Sequence, residues 1–470
     1  MKRYTRFGTR LSELRDHLRN RSHLASGSHP LHCQDLQNDP IRHAARSVGA
    51  EVALHLDTHW NVAKSQASDC AIDVIDMFSG CGGMSAGFIA VNSIVPTYKH
   101  ILAIDIDEVA NRSYSVNIGL EPTGADISAL RSDRRRLLNL VQASGRRPDR
   151  PLVLIGCAPC QGFSSHRNSS GEKDDRNSLF LDFARMASVL QPDAIVVENV
   201  PELLTSKYWH YVASARRLLK QQGYEVHLSV HNMAEYGVPQ ERFRALLLAF
   251  RKPFKPIRGF LDRSQFRSVR SAIGHLPRVR AGQHSHDDPM HYTADHHDST
   301  LRVIRAVPKD GGSRPPDIGP QCLVRARERQ GRGAYDDVYG RLYWDKPAIT
   351  ITAYARNPAS GRFVHPEQNR GLSVREAAIL QSFPSNYIFA GTFDQRFRQI
   401  GNAVPPCFSA CLAMHLVGEL LGPTLLGDMD EGIIEPIGPS FSRLIPALKA
   451  GSLATSLGAA SPTSPFARQI

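Results

Sequence analysis

The chain has 470 residues, 41% apolar and 22% charged. That is enough for one large α/β domain with an insertion, or for a few ordinary domains, and it excludes disordered, collagen-like and coiled-coil classes. The formal charge of +12 is uneven, because residues 251–340 carry 17 Lys/Arg against 10 Asp/Glu. Such a local excess points to a polyanionic partner such as nucleic acid, a merely solubilising basic surface being the alternative. No long apolar run and no signal-type h-region occur, so the expectation is a cytosolic protein without membrane association. Eight scattered cysteines suit a reducing compartment rather than a disulfide framework.

In chain order, residues 1–70 are polar and Arg-rich, with one amphipathic helical candidate near Pro40 to Leu56 and no chemical motif. From residue 71 short apolar runs alternate with helical patterns. AIDVIDMF, HILAIDID, VLIG, AIVVENV and ALLLAF read as strands, and SAGFIAVN, EVANRSYSVN, NSLFLDFARMASVLQP and YVASARRLLKQQGY as helices. This alternation predicts a doubly wound, mainly parallel α/β sheet, a fold that binds ligands at the carboxyl ends of its strands. The rhythm stops at Arg251, and Pro, Gly, Arg and His dominate to about residue 340, as expected of an inserted domain. GLSVREAAILQSF then predicts a helix capped by Ser373 and Glu376 in a capping box, and CFSACLAMHLVGELLG a final helix. The divisions expected are an extension of unknown role (1–70), a sheet domain in two parts (71–250 and 341–422), the insert (251–340) and a flexible Gly/Pro/Ser-rich tail (423–470).

DMFSGCGG places Gly80, Gly82 and Gly83 directly after a strand, where missing side chains let backbone approach a ligand. The next strand ends at Asp105, positioned to accept hydrogen bonds from ribose hydroxyls, and Asp126 in GADI could meet an adenine amino group. A tight turn with two helix-capping aspartates is the bland alternative. No phosphate-loop pattern is present, so a nucleoside ligand such as S-adenosylmethionine fits better than a nucleotide.

At the end of VLIG stands Cys157-Ala158-Pro159-Cys160. A zinc site would need a second ligand pair, and no other CxxC exists. A redox dithiol would open a helix, whereas Gln-Gly-Phe-Ser-Ser continues as loop. One nucleophilic thiol, Cys160, at the exposed end of a strand remains. His284, His286, His291, His296 and His297 match no zinc spacing, so no metal is expected, and phosphate contacts or plain loop histidines are the reading.

With these segments quoted, the chain resembles the DNA (cytosine-5)-methyltransferase family of the bacterial type over roughly residues 71–420. DMFSGCGG is similar to its cofactor loop, APCQGFS to its Pro-Cys loop, VVENV to its Glu-Asn-Val strand end and GVPQERFR to its Gln-x-Arg-x-Arg segment. REAAILQSFP and QIGNAVPP are similar to its last two motifs. The resemblance implies a Rossmann-like S-adenosylmethionine-dependent enzyme in which Cys160 attacks carbon 6 of cytosine. Glu198 would share a proton with ring nitrogen 3, Arg244 would contact the carbonyl oxygen and Arg242 would support the pocket, the two arginines sharing one face of a strand that begins at Gln240. It implies cofactor contacts from Phe78, Ser79, Gly80, Gly82, Gly83, Asp105, Ile106, Asp126, Ile127, Pro159, Asn402 and Val404. It further implies double-stranded DNA as partner, the target base flipped out of the stack, and residues 251–340 as target recognition domain, with Arg325, Arg327, Arg329 and Arg332 for guanine or phosphate contacts. A monomer in the bacterial cytosol is expected, with room for a separately acting restriction endonuclease. Cys81, Cys157-Ala158 and Ile106 depart from the commonest family residues. A transfer-RNA methyltransferase and a non-catalytic DNA-binding relative are the competing readings.

Overall fold

A computed structural model describes residues 39–65, 70–158, 179–330, 335–425 and 429–450. Its centre is a seven-stranded sheet in the order β3-β2-β1-β4-β5-β7-β6. The strands are β1 (Ile72–Met77), β2 (Tyr98–Asp105), β3 (Thr123–Gly124), β4 (Leu152–Gly156), β5 (Ala194–Asn199), β6 (Glu225–Asn232) and β7 (Phe243–Phe250). All neighbours pair parallel except β7, which runs antiparallel to both β5 and β6. Every residue of β1, β4 and β5 is buried, and their near-continuous apolar runs follow from being covered on both faces. The sequence order reverses between β1 and β4, so the crevice above those two strand ends is where a ligand is expected.

Two helices precede the sheet. The first, α1 (Pro40–Leu54), starts at Asp39, whose carboxylate accepts from the Ile41 and Arg42 amides, and α2 (Leu56–Ser65) follows. α1 lies along the long helix Pro406–Leu421, where Gly49 and Gly418 allow close approach, and Arg42 Nε donates to buried Glu419 at 2.8 Å. Val48 and Val52 join Phe408, Leu412 and Leu416 in one core. Residues 40–65 of the presumed extension therefore complete the sheet domain's helical layer, because the Pro406–Leu421 helix is apolar nearly all round and needs cover on its outer side. The stretch Phe393–Leu421 is apolar and long enough to cross a membrane, yet its most apolar window is 89% buried, and it is two helices, Phe393–Asn402 and Pro406–Leu421.

The structure corrects two further expectations. Residues 429–450 are packed rather than a tail. Gly432 bridges Leu228 in parallel on β6, the Ile433 amide donates to the Leu228 carbonyl, and Phe441 and Leu448 are buried beneath the sheet. The packing also does not break at residue 340. Arg341, 1% exposed, donates to the Ile304, Val307, His365 and Gln368 carbonyls, and one small core joins Val303, Ile304 and Val307 to Tyr339 and Val364. The inserted lobe thus continues past its compositional edge. The capping box at Ser373 and Glu376 forms as expected.

Candidate active site

β1 ends at Met77, and Phe78 and Gly80 then take left-handed backbone (φ 58° and 52°) to turn the chain into the helix Gly83–Ala90. Asp105, at the end of the neighbouring β2, pins this turn, since its carboxylate accepts from the Gly80 amide at 2.8 Å and from the Asp107 amide at 2.8 Å. Burial raises its pKa despite those bonds. Each oxygen keeps a lone pair for a hydroxyl donor. On the far side the QIGNAVPP segment closes over the loop. A Cβ on Gly83 would stand 2.5 Å from the Val404 carbonyl oxygen, so only glycine admits that crossing.

Between these parts lies a cavity of about 330 Å³, whose lining includes Phe78, Ser79, Gly80, Asp105, Ile106, Asn402 and Val404. Ile106 is 68% exposed although it is a large aliphatic, and Ser79 Oγ is buried with no hydrogen-bond partner among the described residues. An exposed apolar side chain beside an unsatisfied hydroxyl and a carboxylate suits a group with a flat apolar part and ribose hydroxyls.

The same cavity reaches the ends of β4, β5 and β7. Gly156 on β4 pairs with Val197 on β5, which sets Cys157 beside Glu198. Cys157 Sγ donates to Glu198 Oε2 at 2.9 Å, while Arg244 Nε stands 3.0 Å from Oε1 as an ion pair lacking hydrogen-bond alignment. Glu198 is only 2% exposed. Asn199 Nδ2 donates to the Ala158 carbonyl at 3.1 Å, tying the two strand ends together where the Pro-Cys loop departs. Arg242 is buried and clamps the opposite wall through the Ile351, Gly401 and Ala403 carbonyls at 3.0, 2.9 and 3.2 Å. Regular pairing of β7 begins only at Phe243, because Gln240 bridges Ala348 instead. Arg242 and Arg244 nevertheless both line the cavity.

Not every expected residue meets there. Cys160, Pro159 and Arg332 lie outside the described residues. Asp126 is an exposed N-cap accepting from the Ser128 amide, and Ile127 is buried in the core beneath, so neither lines this cavity as described. Gly82 is enclosed by Ile118, Tyr114 and Tyr387 and serves the turn. Sequence reasoning passed over Asp76, which lies under the loop hydrogen-bonded to Ser85 at 2.5 Å, its carboxyl lifted by burial to about 7. It also passed over Arg398, which pairs with Asp107 at 3.1 Å on the rim. The acid within an apolar strand was the available signal for Asp76, and Arg398 had none beyond lying four residues before Asn402.

Of the lobe's arginines, Arg325 and Arg329 on the helix Gln321–Gln330 are exposed, whereas Arg327 is half-buried and paired with Asp336. His291 is buried between Ser373 and the Pro277 carbonyl, and His296 accepts from the Gly371 amide. Those two are structural. A larger cavity, about 440 Å³, sits behind the sheet between α1, the helix Pro406–Leu421 and residues 255–260. None of the motif residues lines it, and of its charged groups Arg42 is paired with both Asp39 and Glu419.

Comparison with known proteins agrees with this geometry. The family described as C-5 cytosine-specific DNA methylase matches residues 72–416. The chain is 34% identical to the type II methylase M.HgiDII of Herpetosiphon aurantiacus over 355 residues, covering 74% of this chain and 96% of that protein. It is 32% identical to the type II methyltransferase M1.HphI of Haemophilus parahaemolyticus, covering 73% and 86%. In fold it resembles the crystal structure of a prophage-encoded E. coli chain named as a DNA modification methyltransferase (TM-score 0.51, 24% identity, 74% and 99% covered). A cavity shared by the glycine loop, the Glu-Asn-Val strand end and the paired arginines, in a chain matched over most of its length, makes this protein a member of the C-5 cytosine-specific DNA methylases.

Proposed function

We propose that the cavity at the strand ends is where carbon 5 of a flipped-out cytosine in duplex DNA is methylated. Cys160 is the nucleophile, Glu198 and Arg244 hold the base, and Arg242 keeps the wall behind them in place. The observation that carries this reading is Glu198, buried beside Arg244 in the same cavity as the glycine loop. Residues 251–340, with the lobe they belong to, act as the target recognition domain.

S-adenosylmethionine fits the other end of the cavity, where Asp105 has acceptor capacity for ribose, Ile106 and Phe78 offer apolar surface and the Ser79 hydroxyl has no partner among the described residues. It supplies an electrophilic methyl group on a sulfonium. Asn402 and Val404 close the wall over it.

The ring of cytosine is electron-poor, so carbon 5 attacks nothing until a nucleophile adds to carbon 6. The Cys160 thiolate forms that bond. As charge builds on ring nitrogen 3, Glu198 shares a proton with it, and the Arg244 guanidinium, which stays charged throughout, receives the carbonyl oxygen. The adduct makes carbon 5 nucleophilic toward the methyl group that a bound sulfonium would supply; once the carbon–methyl bond had replaced the methyl–sulfur bond, loss of the carbon 5 proton to water and departure of the thiolate would restore the ring. Extrusion of the base costs a few kcal/mol, offset by DNA contacts.

Expression in a host lacking cytosine methylation, followed by bisulfite sequencing, tests this directly. Protection of cytosines within one short motif is expected, and its loss in Cys160→Ser. Absent or random protection rejects the assignment.

A further inference from the structure

Cys157 lies in the cavity wall. The ladder between β4 and β5 brings it there, because Gly156 faces Val197 and the next residue on each strand is therefore Cys157 and Glu198. Its backbone is held from the far side by the Asn199 amide on the Ala158 carbonyl. The thiol thus reaches Glu198 from an anchored position, at 2.9 Å from Oε2. At Oε1 the only neighbour described is Arg244, as an ion pair without hydrogen-bond alignment.

A carboxyl group that must meet one ring nitrogen has to be fixed in rotation about its own terminal bond, which is otherwise soft. Arg244 alone would fix its distance and not its tilt. We propose that Cys157 is a positioning residue whose thiol, by donating to Glu198 Oε2, fixes the plane of that carboxyl and leaves Oε1 to meet ring nitrogen 3 of the flipped cytosine. This rests on Glu198 having the role given above.

The test uses the full chain, duplex DNA containing the recognised motif and S-adenosylmethionine. Cys157→Ala is expected to lower kcat by up to roughly 100-fold, the size of effect a misplaced catalytic group produces. KM for both substrates should change little, and the rate of covalent trapping on 5-fluorocytosine duplex should fall in parallel. Cys157→Ser, which keeps a donor, should recover most of the loss. In a Glu198→Gln background Cys157→Ala should cost almost nothing more, because it acts through the carboxyl already removed. Should the alanine variant not fold, Cys157→Val, about one methyl group larger and without a donor, takes its place. Wild-type kcat in the donor-free variant, a loss additive with Glu198→Gln, or serine no better than alanine would each overturn the proposal. A wild-type protein that transfers no methyl group would instead overturn the reading of the site.

Discussion

Two carboxylate–arginine pairs in this molecule are alike in composition and opposite in setting. In the lobe, Glu376 meets Arg370 through two hydrogen bonds of 2.7 and 2.6 Å, and both side chains are about 1% exposed. Burial alone would raise the Glu376 carboxyl, but the charge and hydrogen bonds of Arg370 win and drive it down to about 2. At the sheet, Glu198 meets Arg244 through one unaligned 3.0 Å contact and opens on a cavity. The first pair is enclosed, with Oε2 also accepting from the Ser373 amide at its own helix start and Oε1 facing His365. The second keeps acceptor capacity facing outward. A saturated pair holds structure and an unsaturated one is available to a substrate.

The contrast breaks most sharply under amide substitution. Glu198→Gln should lower kcat by about 10²–10⁴-fold, the usual contribution of a positioned acid, while the urea unfolding midpoint barely moves. Glu376→Gln should do the reverse, costing about 3–5 kcal/mol of stability by leaving Arg370 buried without its partner, with kcat of the folded fraction retained. If both variants lose stability alike, the distinction fails.

Acid should expose the same difference. The depressed Glu376 carboxyl contributes stability that is present above its unfolded value of 4.5 and lost as pH falls towards 2. His365, pushed by burial down to about 4 although Glu376 opposes this, and His231 and His100, held by burial near 3, take up protons more readily when unfolded. Their contribution is lost earlier, as pH drops below 6.5. Urea midpoints should therefore fall progressively from pH 6.5 to 4, and a flat profile over that window would count against these buried imidazoles.

A milder perturbation addresses the join between loop and lid. Gly83→Ala places a methyl group 2.5 Å from the Val404 carbonyl oxygen. An overpacked crossing of that kind costs about 1–3 kcal/mol, and S-adenosylmethionine affinity measured by calorimetry should weaken with it. Unchanged affinity and stability would mean that the two segments can separate freely.

How much of this was legible beforehand depended on whether a residue's role was local. The strands around β1, β4 and β5 announce themselves because burial on both faces leaves near-continuous apolar runs, and Ser373 and Glu376 because a capping box is a four-residue signal. β6 did not. Its EVHLSVHN sequence carries His227, Ser229 and His231 on a buried strand, which destroys the apolar pattern. Their partners are specific: His227 Nδ1 meets the Asp430 carbonyl, and His231 meets Ser229 and Tyr236. Asp430 belongs to the segment read as a tail, so one error hid the other. At the site, the spacing of Asp105 from the glycine loop foretold their meeting, whereas the Cys157–Glu198 contact depends on strand register, which no spacing along the chain encodes.

The charge count of residues 251–340 carries the same lesson on a smaller scale, because formal charge says nothing about where a guanidinium is spent. Arg314 is buried against the Pro315 carbonyl and Arg327 is paired with Asp336, which leaves Arg325 and Arg329 as exposed cations on their helix. A cation that neutralises a DNA phosphate releases condensed counterion, and each such contact steepens the dependence of log affinity on log salt by about 0.9. Arg325→Ala and Arg329→Ala should thus each reduce that slope by about one. Arg327→Ala should reduce it by less, since the wild-type side chain is already neutralised by Asp336 with or without DNA. Fluorescence anisotropy over a salt series reads all three, and slopes unchanged from wild type in all three variants would mean that this helix does not face the phosphates.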